Sequence, residues 1–138
     1  MKKSDLIFAC ALMLLAVILG AFGAHALKEH LSIESLESYK TGVRYQMFHA
    51  IALLIFSLPA FQYMPRKKLA MNLFKIGIVL FSFSIYILTV GKMMDSTALS
   101  KIMGPITPIG GLCLIVAWAL LIFGILKSDF SRNEQISL

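Results

Sequence analysis

With 59% of its 138 residues apolar, only 14% charged and a mean hydropathy of +0.84, the chain has too little charge to cover the surface of a small water-soluble domain. Its formal net charge of +6 does not point to nucleic acid, because the basic residues lie in short segments between long apolar runs and form no continuous stripe. The pattern implies a lipid bilayer with an anionic surface as the partner, and a single all-α membrane domain over residues 1–138.

The first predicted element is a span over residues 6–27, uncharged for 22 residues. At about 1.5 Å per residue it is long enough for a hydrocarbon core of about 30 Å. Lys2 and Lys3 before it and Ala24-His25-Ala26 at its end mimic an export signal, but the apolar run exceeds the usual signal core of about 7–15 residues, so a retained helix is expected. Ile33, Leu36, Tyr39, Val43 and Met47 then recur every three or four residues, with Glu34, Glu37 and Lys40 between them. This is the pattern of a short amphipathic external helix running into a second span, 46–64. Pro59 predicts a kink inside that span, and Pro65 lies just past its end.

The third span, 69–91, contains Lys75, whose ammonium must reach back to the interface beside Lys67 and Lys68. Asp95 or Ser96 is placed to cap a short helical turn before Gly104-Pro105, and the fourth span covers 105–126. Short connections make neighbours in sequence antiparallel neighbours in space, which predicts a four-transmembrane-helix bundle. Lys2, Lys3, Arg66, Lys67, Lys68, Lys75, Lys127 and Arg132 fall on the side of the termini, against Lys28, Lys40, Arg44, Lys92 and Lys101 opposite. That excess places the N- and C-termini on the cytoplasmic side.

Laid across the bilayer in this orientation, polar and small residues gather in the outer half. An unpaired polar group in hydrocarbon costs several kcal/mol, so these side chains must face one another or a wet pocket. The pocket candidates are His25, Arg44, Tyr45, Gln46, His49, Ser84, Tyr86 and Thr107. Gly20, Gly23, Gly110 and Gly111 are the close-packing candidates, and Ala16, Gly20 and Ala24 stand four apart on the first helix.

His25 and His49, with Glu29 one turn beyond His25, have the donor types of a two-histidine, one-carboxylate metal site, and the imidazoles are also able to carry protons. The plainer reading is that each imidazole hydrogen-bonds a neighbouring helix, because two histidines and an acid on different elements are a weak ligand signal. Arg44 either grips a phosphate or carboxylate headgroup or pairs with Glu29, Glu37 or water. Trp118 sits too deep for an interfacial belt and reads as a packing residue whose N–H finds a partner. The eight methionines show no repeated ligand spacing, and Cys10 and Cys113 lie in apolar runs, so both residue types read as packing and no disulfide is expected. No motif specifies a cofactor.

Three stretches, Gly20-Ala-Phe-Gly-Ala-His25-Ala-Leu27, Thr41-Gly-Val-Arg-Tyr-Gln-Met-Phe-His49-Ala50 and Thr107-Pro-Ile-Gly-Gly111, resemble the hallmarks of a small bacterial membrane family of the YgdD and YwdK type. That family is catalogued as domain of unknown function 423 and is similar to the eukaryotic transmembrane protein 256. The resemblance covers nearly the whole chain and implies a four-span protein of the bacterial plasma (inner) membrane; it carries no activity with it. One departure stands in the third span, where Phe81-Ser-Phe-Ser-Ile-Tyr86 replaces the family's Phe-Ser-Gly-Ser-Leu-Tyr, so that Phe83 stands where close packing uses glycine.

Three function classes follow. The first is a binding or interaction module that holds a lipid headgroup, ion or small ligand in the outer pocket, or docks a second copy or another membrane protein. The second is an oligomeric small-solute or proton-linked transporter or channel, against which stands the absence of Asp and Glu from the spans. An intramembrane lipid-modifying enzyme ranks last: a histidine base and Arg44 are present, but no nucleophile has an adjacent base, and hydroxyls such as those of Ser82 and Ser84 commonly bond to the backbone.

Overall fold

The computed structural model describes residues 3–128. Lys2 and Arg132, two of the cations that set the predicted orientation, lie outside the described residues. The secondary structure of the described residues is helical: α1 (Lys3–Ala24), α2 (Ile33–Phe56), a 3-10 turn (Pro59–Phe61), α3 (Lys67–Ile78), a π-helical segment (Val79–Phe83), α4 (Ser84–Met93), α5 (Thr97–Met103) and α6 (Ile106–Lys127).

Three stretches are long and apolar enough to cross a membrane: Lys3–Ala24, Lys67–Met93, in which α3, the π segment and α4 form one continuous helix, and Thr97–Lys127. α2 is not among them, because its first turns carry Glu34, Glu37, Lys40 and Arg44 and the helix stops at Phe56. A kinked helix running on to residue 64 is thereby corrected. Proline lacks an N–H and drives the preceding residue toward extended geometry; Leu58 takes ψ 151° and Pro59 opens a separate turn.

The amphipathic stretch folds as the first half of α2. Ser32 caps it, its Oγ accepting from the Ser35 N–H at 3.3 Å. Leu36, Tyr39 and Val43 are buried, whereas Ile33 at the tip is exposed. α1 ends at Ala24, so His25 belongs to the turn after the helix. Ser96 occupies the N-cap of α5 without a side-chain cap bond.

α1 packs along α2, while α3 and the π segment pack along α6. The larger core is built on Leu12, Leu53, Phe56, Phe74, Ile78 and Leu121; a smaller one surrounds Ala16, Tyr39 and Val43. Leu14, Val17, Leu112, Ile115 and Ile122 point outward and are exposed, an arrangement that lipid solvates and water does not.

Two of the four close-packing candidates make close approaches. A Cβ on Gly23 would meet the Tyr39 ring at 2.7 Å, and one on Gly110 would meet the Phe81 backbone nitrogen at 2.4 Å. At Gly20 and Gly111 the nearest atoms are 3.7 and 3.6 Å away, which is ordinary contact. Phe83 does not prevent close packing in this helix. Its ring lies edge-on to Tyr86 with centroids 5.7 Å apart, and Gly77 and Gly110 bring α3 and the π segment against α6.

Within the π segment, Ser82 is fully buried and its Oγ has no hydrogen-bond partner among the described residues. A buried hydroxyl without a partner is a cost and not a contribution. Ser82→Ala is therefore expected to leave stability unchanged or raise it by about 1 kcal/mol, read as the thermal midpoint in detergent; a loss of about 1 kcal/mol or more would mean that the hydroxyl is in fact bonded.

Candidate functional site

The buried polar residues of α2 connect it to three other helices. Gln46 has no exposed surface; its Nε2 donates to the Leu12 carbonyl of α1 at 2.8 Å, and its Oε1 accepts from the Tyr86 hydroxyl of α4 at 2.9 Å. Tyr86 packs on Tyr39, centroids 5.3 Å apart, and the Tyr39 hydroxyl donates to the Leu19 carbonyl at 2.8 Å. Each amide and phenol position so described is paired within the protein, which is what a low-dielectric setting demands.

His49, one turn further along α2, behaves in the same way. Its Nδ1 lies 2.7 Å from the Tyr45 carbonyl, and its Nε2 lies 3.2 Å from the Trp118 Nε1 of α6. A carbonyl only accepts and an indole N–H only donates, so Nδ1 carries the proton and Nε2 accepts. Both imidazole nitrogens are thereby engaged. The Tyr45 ring stacks on Phe81 at 4.5 Å.

The remaining candidates lie apart from this group. His25 and Glu29 are exposed in the turn after α1, and no cluster of three metal-capable side chains forms among the described residues. Arg44 and Lys40 share Glu37, at 3.2 and 2.7 Å, on the exposed face of α2. The Lys40 ammonium bonded to it, reinforced by Arg44, holds the Glu37 carboxyl below the usual carboxylate range; pairs this exposed contribute little to stability. Lys75 does not simply reach for the interface: its ammonium bonds Asp5 of α1.

Ser84 and Thr107 bring α4 and α6 together through a hydroxyl pair at 2.7 Å. Thr107 also lines a cavity of about 380 Å³ between the first half of α2, the end of α4 and the α5–α6 junction. Its polar wall consists of the hydroxyl residues Ser35, Ser38, Thr41, Thr89 and Thr107 together with Lys92; Ile85 and Leu88 form an apolar wall. Lys92 Nζ donates to Ser35 Oγ at 3.2 Å, and the hydroxyls of Thr41 and Thr89 donate to backbone carbonyls at 2.9 Å, which leaves their oxygens lone pairs for a ligand. Most of the surface that lines the cavity is apolar, with these hydroxyls and one ammonium at its edge.

Of the eight pocket candidates, Thr107 alone lines this cavity. The sequence signal for the rest was the spacing Ser35, Ser38, Thr41, one helix face lying between the charged positions of α2.

The chain is similar to bacterial membrane proteins over most of its length. Residues 19–111 match the model of a family described as "Protein of unknown function (DUF423)". A UPF0382 membrane protein of Haemophilus influenzae is 38% identical over 93% of this chain and 98% of its own. The UPF0382 membrane protein YwdK of Bacillus subtilis is 39% identical over 83% of this chain and 89% of its own. The UPF0382 inner membrane protein YgdD of Escherichia coli is 31% identical over 88% of each. No solved structure matches.

Proposed function

We propose that this chain, which belongs to the DUF423 family of membrane proteins, crosses the bacterial plasma membrane four times with both termini in the cytoplasm. In this reading it serves as a binding module for a lipid headgroup or small polar ligand. The fourth crossing is supplied by the second half of α2 and the turn after it, since no charged residue falls between Arg44 and Arg66. The observation that carries the binding reading is the cavity beside Lys92. It combines one ammonium, five hydroxyl residues and an apolar wall, the composition that suits a molecule with a polar head and an apolar body.

Binding is favoured over transport because the aliphatic and aromatic core of Leu53, Phe56, Phe74 and Leu121 fills the helix assembly and offers no polar path for a solute. Enzymatic turnover has less support still, since both nitrogens of His49 are engaged in holding helices together.

Native mass spectrometry of the chain extracted in mild detergent is expected to find one small adduct per chain. Thr41→Phe, which fills the cavity, and Lys92→Met, which removes its cation, should each lower adduct occupancy at least tenfold, about 1.4 kcal/mol or more. Unchanged occupancy in Thr41→Phe rejects the reading. Solute flux in proteoliposomes that stops in Lys92→Met would assign the cavity to transport instead.

A further inference from the structure

At the other end of α2 a second cavity, of about 570 Å³, opens between the start of α1, the turn after α2 and the start of α3. Its lining is strongly basic: Arg66, Lys67, Lys68 and Lys75 face a single carboxylate, Asp5. That carboxylate is already bonded to Lys75. Arg66, Lys67 and Lys68 have no carboxylate within ion-pair distance among the described residues. Three cations concentrated in one recess around a carboxylate that already bonds Lys75 raise the local potential and favour the binding of an anion.

The backbone at the recess favours the same kind of ligand. Arg66 stands at the N-cap of α3 in the left-handed region, φ 59°, and no side chain caps the helix. In the first turn of α3 the N–H groups of Lys67 and Leu69 donate to the Met64 and Arg66 carbonyls, which leaves that of Lys68 for a ligand at an electropositive helix start. Arg66 is also braced, its guanidinium 5.0 Å above the Phe123 ring of α6, so it is held in place before any ligand arrives. The amides of Gln62 and Asn72 add further donors to the lining.

The apolar surroundings decide which source of anion fits. Met64 and Met71, both buried, form the floor of the recess. Leu58, Tyr63 and Leu69, adjacent to its lining residues in the chain, are exposed. A free phosphate would gain nothing from such surroundings, whereas a phospholipid has acyl chains to lay against them.

We propose that this recess is a binding site for the phosphoryl headgroup of an anionic phospholipid. Arg66, Lys67 and Lys68 hold the phosphoryl oxygens, and the Asp5–Lys75 pair closes the inner wall. Because Asp5 keeps Lys75 neutralised, the recess has three free positive charges and not four, and the carboxylate lowers its affinity for anions. The site is at the opposite end of α2 from the Lys92 cavity and does not depend on the function proposed for that cavity.

The test uses the full chain in nanodiscs of phosphatidylcholine titrated with phosphatidylglycerol, with bound lipid counted by native mass spectrometry. Binding at the recess should saturate, with one phosphatidylglycerol per chain lost when its cations are removed. The triple variant Arg66→Gln, Lys67→Gln, Lys68→Gln should weaken it at least tenfold, and Asp5→Asn should strengthen it. Lys68→Gln alone, at an exposed position, should weaken it several-fold and serves if the triple variant does not fold. Wild-type affinity in both the triple and the single variant overturns the proposal, as does binding that rises linearly without saturation. Displacement of the lipid by inorganic phosphate at equal concentration would show that the recess takes the free anion and would overturn the lipid assignment.

Discussion

Gly110→Ala is expected to destabilise the protein by about 3 kcal/mol, the upper end of the usual overpacking range, while Gly111→Ala next to it changes stability by less than about 1 kcal/mol. The contrast comes from what each new methyl group would meet. At Gly110 it would lie 2.4 Å from the Phe81 nitrogen, 2.7 Å from the Leu80 carbonyl carbon and 2.8 Å from the Phe81 Cα. These are all backbone atoms, so relief requires α6 to move away from the helix that contains the π segment. At Gly111 the nearest atom is 3.6 Å away, on a phenyl ring. Gly77→Ala is a useful third case: its methyl group would strike the Leu114 side chain at 2.6 Å, so a second substitution, Leu114→Ala, should recover part of that loss but none of the loss at Gly110. Thermal unfolding in detergent, followed through the fluorescence of Trp118, the sole tryptophan, measures all three. Equal midpoints for the two adjacent alanine variants would mean that α6 does not approach the π segment this closely.

Gln46→Leu should cost about 1–3 kcal/mol, the penalty for leaving buried partners unpaired. The substitution keeps the side-chain volume close to that of glutamine but removes both the bond to the Leu12 carbonyl and the acceptor for the Tyr86 hydroxyl. Tyr86→Phe removes only the second of these. A double-mutant cycle between the two positions should therefore give a coupling of about 0.6–1.7 kcal/mol, the range found for interhelical hydrogen bonds in membranes. Strict additivity would show that the amide and the phenol do not meet.

Much of the helical layout could be read from where charge is absent. α1 and α6 lie on the two longest uncharged stretches, and the periodic apolar positions from Leu36 to Met47 mark the buried stripe of α2. Pro59 ends the helix where a kink is expected from the sequence, because a proline kinks a helix only when neighbouring elements support the broken turn, and here the chain leaves the helix instead. The π segment could not be anticipated, since nothing in Val79-Leu-Phe-Ser-Phe83 distinguishes a wide turn from a normal one before α6 is packed against it.

The candidate site was legible in chemistry but not in geometry. Gln46, His49, Ser84, Tyr86 and Thr107 are placed so that they pair across helices, yet what they form is mostly a set of cross-links. The cavity beside them depends on Ser35, Ser38 and Thr41, which lie among glutamates and a lysine and so read as a solvated face. Lys92 looked like a loop charge, and only the rotation of α4 turns it toward Ser35.

That rotation has its origin in the wide turn at Val79–Phe83. Such a turn inserts one residue without advancing the helix by a further step, and one residue corresponds to about 100° of azimuth. Ser84, Tyr86, Thr89 and Lys92, which meet Thr107, Gln46 and the cavity, all come after it. The helix thus follows two angular phases, one up to Ile78 and another from Ser84 onward. Excising a single residue between 79 and 83 would leave each of those four side chains chemically intact while swinging the whole set by about a quarter turn away from these partners, so in this segment the number of residues matters more to the contacts than which residues they are.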